Sequence, residues 1–291
     1  MRALKAKLTV VIEDYSGYDV RGLVGQHGLS VLVEVEDGGG RVRRVLFDTG
    51  QEGGTLLRNL RILGLGLKGV EAIAVSHRHY DHTGGLIEVL REVSGRVPVI
   101  AHPHLFTPSM YVGGGDVSLS IGAPFTRGDV AAAGGELLLV KSPIQVVPGV
   151  WWLGEIERVT DFEEPPKGFY RVEGGEVVPD EIPDDTGLAI DIEGLGLVVI
   201  SGCSHSGIVN IVEQALRVTG SELYAVMGGL HLVTASRERI ERTVGKLREL
   251  GAREAWVGHC TGLRAEAAFL EAFKEGFRKI HSGFTLALKG T

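Results

Sequence analysis

Hydrophobic residues recur along this chain with two different spacings, and the spacing distinguishes predicted strands from predicted helices. Short runs rich in Val, Leu and Ile, bounded by glycine or polar residues, predict strands. They lie at residues 8–13, 30–36, 43–47, 69–76, 97–102, 150–153, 186–192, 197–201, 222–227 and 254–257. Apolar residues three and four positions apart predict helices at 55–64, 86–93, 208–218, 235–250 and 265–280. The last helix is expected to bury a stripe of Phe269, Phe273 and Phe277.

The order of these elements predicts two similar halves, at about residues 1–140 and 145–291. In each half the strands and helices can form a sheet with helices on one face, and two such halves can pack sheet against sheet. We therefore expect an α/β (α+β) fold. It would be a four-layer αββα sandwich of two mixed β-sheets flanked by helices, in a single domain over residues 1–291.

Two stretches lack a clear period and are expected to form insertions or long loops. Residues 103–150 include Gly113-Gly114-Gly115 and several prolines, and residues 162–186 are rich in carboxylates. Long loops in a compact domain often act as lids or binding loops, and plain surface loops are the alternative.

The composition of the chain argues against some classes of binding partner. The 291 residues carry a net charge of −7 without a basic stripe, which argues against nucleic-acid binding. No apolar run approaches the roughly 18 residues of a membrane span. The first residues are typical of a strand rather than a signal peptide. We therefore expect a cytoplasmic protein with a small-molecule substrate and no nucleic-acid or membrane partner. Few amides and many Arg and Glu are typical of thermophile proteins.

The segment Ser76-His77-Arg78-His79-Tyr80-Asp81-His82-Thr83-Gly84-Gly85 is the densest group of candidate metal ligands. His77 and His79 are two residues apart, so they point the same way in an extended loop. Asp81 and His82 are adjacent, so they diverge toward a second point. This spacing can serve two metal ions, and a polar surface loop is the alternative.

Three later strands also end in glycine followed by a histidine. The motifs are Gly202-Cys203-Ser204-His205, Gly228-Gly229-Leu230-His231 and Gly258-His259-Cys260. Glycines allow the backbone to turn tightly and bring a side chain to a sheet edge. Because several strands that end in histidine can converge, we expect one shared pocket.

These motifs, with Leu46-Phe47-Asp48-Thr49-Gly50 upstream, resemble the metallo-β-lactamase-fold superfamily. The first cluster is similar to its H-x-H-x-D-H signature. The combination resembles the subgroup of metal-dependent hydrolases related to dihydropterin–ribofuranosylaminobenzene 5′-phosphate synthase. The resemblance extends from about Leu8 to Thr261. It implies an αββα sandwich with a two-metal site at one edge of the paired sheets.

The resemblance also implies which residues bind the metals. His77 and His79 would bind the first metal, and Asp81, His82 and His259 would bind the second. The expected cofactor is two divalent metal ions, zinc in the first instance, with manganese or iron as alternatives.

The third ligand of the first metal departs from the superfamily pattern. Many members have a bridging aspartate where this chain has Cys203, with His205 two residues later. We favour His205 as the ligand, with Cys203 as a thiolate ligand or bridge, and Asp185 as a further alternative.

Two more side chains are candidates for roles around the metals. Asp48 is expected behind a liganding histidine, where a carboxylate fixes the ring orientation, and a turn residue is the alternative. His231 could contact the substrate or donate a proton, and a structural role is the alternative. Asp81 and His231 are thus the candidate catalytic residues. His27 carries no signal.

Two bound divalent metals can hold a hydroxide at neutral pH, because they lower the pKa of bound water toward about 7. We therefore expect a metal-dependent hydrolase acting on a small ester, lactone or phosphoester. The resemblance implies an alternative, a synthase (transferase) that joins a pterin to a ribofuranosylaminobenzene phosphate. An iron-dependent redox enzyme using the same pocket is a second alternative.

Overall fold

A computed structural model describes residues 1–93, 95–113 and 118–290. The strands are β1 (Lys5–Ile12), β2 (Ser30–Glu36), β3 (Val42–Phe47), β4 (Val70–Ala74), β5 (Val97–Ala101), β6 (Ser109–Val112), β7 (Ser118–Ser120), β8 (Gly135–Leu139), β9 (Ile144–Val147), β10 (Val150–Trp152), β11 (Phe169–Glu173), β12 (Glu176–Pro179), β13 (Gly187–Ile192), β14 (Gly196–Ser201), β15 (Leu223–Gly229), β16 (Glu254–Gly258), β17 (Phe277–Lys279) and β18 (Thr285–Lys289). The helices are α1 (Gly53–Ile62), α2 (Tyr80–Thr83), α3 (Leu86–Glu92), α4 (Arg127–Ala132), α5 (Ile208–Thr219), α6 (Arg237–Glu249) and α7 (Leu263–Phe273). Within the described ranges, every helix is too short or too polar to cross a bilayer.

Two seven-stranded mixed sheets form the centre of the fold. Their orders are β18-β1-β2-β3-β4-β5-β8 and β17-β16-β15-β14-β13-β10-β9. In the first sheet, β1, β2 and β3 pair antiparallel, and β3, β4, β5 and β8 pair parallel. In the second, β14, β15, β16 and β17 are parallel neighbours, and β9, β10, β13 and β14 pair antiparallel. Both sheets are therefore mixed, as the sequence predicts.

Three hydrophobic clusters define four layers. One cluster joins residues of both sheets, such as Leu8, Val31 and Trp256, so the sheets pack face to face. A second packs the other face of the second sheet against α5, α6 and α7. A third packs the first sheet against α1, α3 and α4. Because β13 is covered on both faces, all six of its residues are buried. The predicted αββα sandwich is confirmed.

The two stretches expected to be loops contain regular structure. They contribute a third, four-stranded sheet in the order β12-β11-β6-β7. Its strands are short and partly exposed, and β6 pairs with β11 from the other stretch. Local periodicity did not reveal these strands, because they are short and partly exposed, and the pairing of β6 with β11 that joins them is distant in sequence. The first stretch also contains α4, β8 and β9, and β8 and β9 belong to the two large sheets. Gly114 and Gly115 of the predicted glycine run lie outside the described residues.

The predicted helix over 265–280 is wrong at its C-terminal end. The α7 helix ends at Phe273, where Phe269 and Phe273 stack with ring centres 5.7 Å apart. Lys274 then has a φ of 51°, which ends the helix. Phe277 begins β17, which pairs with β16 instead of extending the helical stripe. The unpredicted β18 follows and pairs with β1, so the last strand joins the first sheet.

Candidate metal centre

The candidate ligands lie where strands of the two large sheets end. Residues 76–83 follow β4 of the first sheet, and Cys203 and His205 follow β14 of the second. His231 follows β15, and His259 follows β16. Because β14, β15 and β16 are parallel neighbours, their carboxyl ends share one edge. The structure thus brings the strand-end histidines together with the first cluster.

Four groups of side chains in the described residues could hold a metal ion, and two of them consist only of predicted metal ligands. His77, Cys203 and His205 form the first of these two. One ligand atom from each lies within 4.8 Å of the others. His79 lies beside them, because its Nδ1 is 3.0 Å from the Nε2 of His77. Its ring centre is 4.9 Å from that of His205. All four side chains are buried.

Asp81, His82, Cys203 and His259 form the second group, again with ligand atoms within 4.8 Å of one another. The Oδ2 of Asp81 is 3.3 Å from the Nε2 of His82 and 3.4 Å from the Nε2 of His259. The Sγ of Cys203 is 3.2 Å from each of the same two nitrogens. Since Cys203 belongs to both groups, its sulfur lies between them.

Buried nitrogen atoms without a hydrogen-bond partner indicate whether a cation fits these groups. Among the described residues, the Nε2 of His79 and both ring nitrogens of His205 are buried without a hydrogen-bond partner. Such an atom costs about 1–3 kcal/mol, and a metal ion can satisfy an imidazole nitrogen. Burial lowers the pKa of His77 and His205 well below the ordinary value, and lowers that of His79 to about 3. These rings are therefore neutral, which is the form that binds metal.

Asp48 lies directly behind His82, on the side of the ring away from Cys203. Its Oδ2 is 2.7 Å from the Nδ1 of His82 and accepts a hydrogen bond of 2.7 Å from the Ser76 hydroxyl, while its Oδ1 accepts one of 2.7 Å from the Ser76 backbone N–H. Burial favours the neutral His82 ring, but the carboxylates of Asp81 and Asp48 outweigh burial and raise its pKa to about 10. The two carboxylates therefore favour a positive charge at this position, and a bound cation can supply that charge in place of the proton on the ring.

Asp14, which sequence reasoning missed, lies behind His259 in the same way as Asp48 lies behind His82. Its Oδ1 is 2.9 Å from the Nδ1 of His259, and its Oδ2 is 3.2 Å from the Nδ1 of His27. Burial opposes ionisation of Asp14, but these hydrogen bonds hold its pKa below the ordinary value. His27, which carried no signal, also has its Nε2 3.5 Å from the Oδ2 of Asp81. The available signal was the position of Asp14 just after a buried strand, like that of Asp48.

Asp185, the further alternative for the first metal, lies on the opposite side of His77. Its Oδ1 is 4.0 Å from the Nδ1 of His77, whereas the Nε2 of His77 faces His79. Its Oδ2 accepts a hydrogen bond of 2.8 Å from the backbone of Ser206. Burial raises the pKa of Asp185 to about 6. The geometry thus places Asp185 behind a candidate ligand rather than within either group.

His231 lies beside the first group. Its ring centre is 4.2 Å from that of His205, and it forms a further group with Cys203 and Cys260. Its Nδ1 is buried and has no partner among the described residues. Its φ of 46° is unfavourable for a residue other than glycine, and His259 has a similar φ of 50°. Strained backbone of this kind clusters at functional sites.

A cavity of about 950 Å³ opens onto both ligand groups. Tyr111 and Phe169, from the third sheet, form an aromatic wall. The Phe169 ring stacks on that of His79, with centres 5.6 Å apart and planes at 15°, and lies 5.1 Å from Tyr111. The two stretches that were predicted to be loops therefore supply one side of the cavity. The cavity is large enough for a small organic substrate.

Arg78, within the signature itself, has a role that the sequence did not reveal. Its side chain is fully buried, and its guanidinium pairs with Asp180 and Asp184. Its backbone N–H also donates to Asp184 at 2.8 Å. The signature loop is therefore fixed to the segment that leads from the third sheet to β13.

Comparison with known proteins identifies the family. A family model described as the metallo-beta-lactamase superfamily matches residues 24–214, which is more than half of the chain. The chain belongs to the metallo-β-lactamase superfamily. The resemblance drawn from the signature and the strand-end motifs is therefore confirmed.

Three relatives illustrate the similarity of this superfamily member to known proteins. The 7,8-dihydropterin-6-methyl-4-(beta-D-ribofuranosyl)-aminobenzene-5'-phosphate synthase of Methanocaldococcus jannaschii is 40% identical over 286 residues, or 95% of each chain. An uncharacterised protein of the same organism is 32% identical, over 88% of this chain and 91% of its own. The crystal structure of Tm1679, described as a metal-dependent hydrolase of the beta-lactamase superfamily, matches with a TM-score of 0.81 and 29% identity. That match covers 97% of this chain and 98% of Tm1679.

The expected hydrolase of a small ester, lactone or phosphoester is corrected by the first of these relatives. The curated relative that is 40% identical over nearly the whole chain is a synthase, and it supports the synthase alternative instead. The physical reason for the error is that the histidine–aspartate signature specifies a metal site. It does not specify whether water or another nucleophile attacks the substrate.

Proposed function

We propose that this chain is a synthase that joins a dihydropterin to a ribofuranosylaminobenzene 5′-phosphate. The observation that carries the proposal is the 40% identity, over 95% of both chains, to a synthase of that product. With the pterin supplied as its pyrophosphate, the amine nitrogen attacks the 6-methylene carbon. The carbon–oxygen bond breaks, pyrophosphate leaves with the electron pair, and the nitrogen loses a proton.

We also propose that the two ligand groups hold two divalent metal ions, zinc in the first instance and manganese or iron otherwise. The first ion would be bound by His77, His79 and His205. The second would be bound by Asp81, His82 and His259, with Cys203 as a thiolate between the two. The short distances, the burial and the unsatisfied imidazole nitrogens support this assignment. Bound divalent ions would stabilise negative charge on the leaving pyrophosphate.

The side chains around the ligands have separate tasks in this scheme. His231 would accept the proton that leaves the amine, because its buried Nδ1 has no other partner in the described part of the chain. Asp81 remains ionised, because the neighbouring histidines outweigh burial and hold its pKa well below the ordinary value. It would therefore act as a ligand and not as an acid. Phe169 and Tyr111 would stack against a substrate ring and exclude water from the reacting carbon.

The proposal is tested by incubating the metal-loaded protein with dihydropterin pyrophosphate and the aminobenzene riboside phosphate. The coupled product, identified by its mass, is expected from the wild type and from His281→Ala, which lies outside the ligand groups. It should be absent with His79→Ala. A wild type that forms only the hydrolysed pterin would overturn the proposal. The iron-dependent redox alternative stays a prediction that these findings do not test.

A further inference from the structure

Three cations on the cavity wall are not part of the ligand groups. Arg239 and Arg242 belong to α6, and Lys167 belongs to the segment that leads into β11. We refer to Arg239, Arg242 and Lys167 as the basic rim. The segment carrying Lys167 and the α6 helix are joined, because Arg242 contacts Asp161 and Arg239 contacts the backbone of Glu164. Contacts within the protein therefore hold the two segments that carry the basic rim next to each other.

Arg239 is the arginine of the rim that forms no ion pair within the described residues. Its side chain is partly buried, and its Nε is buried without a hydrogen-bond partner among the described residues. Its guanidinium makes one long contact of 3.4 Å, to the carbonyl oxygen of Glu164. A guanidinium offers five donors, and leaving them unpaired away from water is costly. The arrangement therefore suits an anionic ligand that enters the cavity.

Arg242, the second arginine of the rim, is held in place by Phe162 and Asp161. Its guanidinium lies 4.4 Å from the centre of the Phe162 ring and donates to the Oδ1 of Asp161 at 2.5 Å. Asp161 is 79% exposed, so solvent screens much of its charge. The planar fork of Arg242 is thus oriented by the aromatic face while keeping donors for a second partner.

Solvent screens the carboxylates that line the cavity near the rim. These are Asp161, Glu164 and Glu238, and all three are exposed. Lys167 is exposed and forms no ion pair within the described part of the chain. A tetrahedral phosphate group can accept hydrogen bonds from two arginines and a lysine at once.

We propose that the basic rim binds the 5′-phosphate of the ribofuranosylaminobenzene substrate. This inference rests on the proposed synthase function. In that substrate the aromatic ring and the ribose separate the amine from the phosphate. When the amine faces the histidine groups, the phosphate must therefore be held elsewhere on the cavity wall. The basic rim lies on that wall, and no hydrogen bond within the described residues links it to the candidate metal ligands. The rim thereby selects the phosphorylated riboside over the free riboside.

Arg239→Ala and Arg237→Ala are a matched pair that tests the rim. Both remove an arginine from α6, but Arg237 is 91% exposed, pairs with Glu241 and does not line the cavity. In the metal-loaded enzyme, Arg239→Ala should raise the KM for the riboside phosphate roughly 10- to 100-fold. It should leave the KM for the free riboside and for the pterin pyrophosphate unchanged. Arg237→Ala should match the wild type, and Arg239→Lys should recover part of the loss.

Two outcomes would overturn the inference while the synthase assignment stands. One is an equal loss with Arg239→Ala for the free and the phosphorylated riboside. The other is a raised KM for the pterin pyrophosphate, which would place that group at the rim. If the wild type forms no coupled product, the proposed function fails instead. Calorimetric titration with ribose 5-phosphate then tests the rim alone: weaker binding by Arg239→Ala than by Arg237→Ala supports it, and equal binding refutes it.

Discussion

The Sγ atom of Cys203 lies 3.2 Å from the Nε2 atom of His82, although 121 residues separate them. The same sulfur belongs to the group of His77 and His205. Burial raises the pKa of the Cys203 thiol, so a cation beside the sulfur is needed to favour the thiolate. Because both groups share this sulfur, we expect joint occupancy of the two proposed metal sites to depend on Cys203 more than on any other ligand.

Replacing Cys203 by serine is therefore expected to remove more metal than replacing Cys260 by serine. Cys260 belongs only to the group that contains His231. After equal dialysis, elemental mass spectrometry should find about two ions per chain in the wild type. Cys203→Ser should retain one ion or fewer, and Cys260→Ser should retain more. Equal metal content in Cys203→Ser and the wild type would show that the sulfur is not a ligand.

Replacing Asp48 by asparagine should weaken metal binding roughly 10- to 100-fold, because the carboxylate that orients His82 is lost. Asparagine tolerates the φ of 55° at this position, so the backbone should stay in place. The measurement is a competition titration with a chromophoric chelator. Asp37→Asn is the control, since Asp37 lies in the exposed turn between β2 and β3. The same affinity in both variants would exclude a role of Asp48 in orienting His82.

Replacing Arg78 by methionine should destabilise the protein by about 3–5 kcal/mol, because Asp184 would be left buried without a cation and Asp180 would keep only Arg171, at 3.7 Å. Arg96→Met is the control, because Arg96 is 81% exposed and pairs with an exposed glutamate. Its effect should stay within about 0.5 kcal/mol. Urea unfolding of both variants measures the difference. A loss at Arg78 as small as at Arg96 would contradict a stabilising role for the buried pairs.

Glu163 should make the stability depend on pH. Burial raises the pKa of its carboxyl above the ordinary value of 4.5, although the N–H groups of Val209 and Asn210 oppose the shift. The folded state then binds the proton more tightly than the unfolded state, so the contribution is fully present below pH 4.5. It is lost as pH rises through the raised pKa. The melting temperature of the wild type minus that of Glu163→Gln should fall as pH rises from 4.5. A difference that stays constant or rises would show that the pKa is not raised.

Local sequence patterns were enough to predict five of the seven strands in each large sheet and the positions of most ligand candidates; the strands that they missed, β8, β9, β17 and β18, are the edge strands. The reason is that each candidate follows a buried strand, and strand ends of one sheet share an edge. The pairing of Arg78 with Asp180 and Asp184 could not be predicted, because it depends on a distant segment. The same holds for Phe169, which reaches His79 only through the third sheet. Long-range pairing, rather than residue type, decides these contacts.

The dependence of pyrophosphate release on the amine tests the synthase assignment most directly. The metal-loaded protein is mixed with dihydropterin pyrophosphate in ¹⁸O-labelled water, with and without the aminobenzene riboside phosphate. We expect pyrophosphate only when the amine is present, one equivalent for each coupled product, with no ¹⁸O in the pterin. Release at the same rate without the amine, with ¹⁸O in a pterin alcohol, would contradict the assignment.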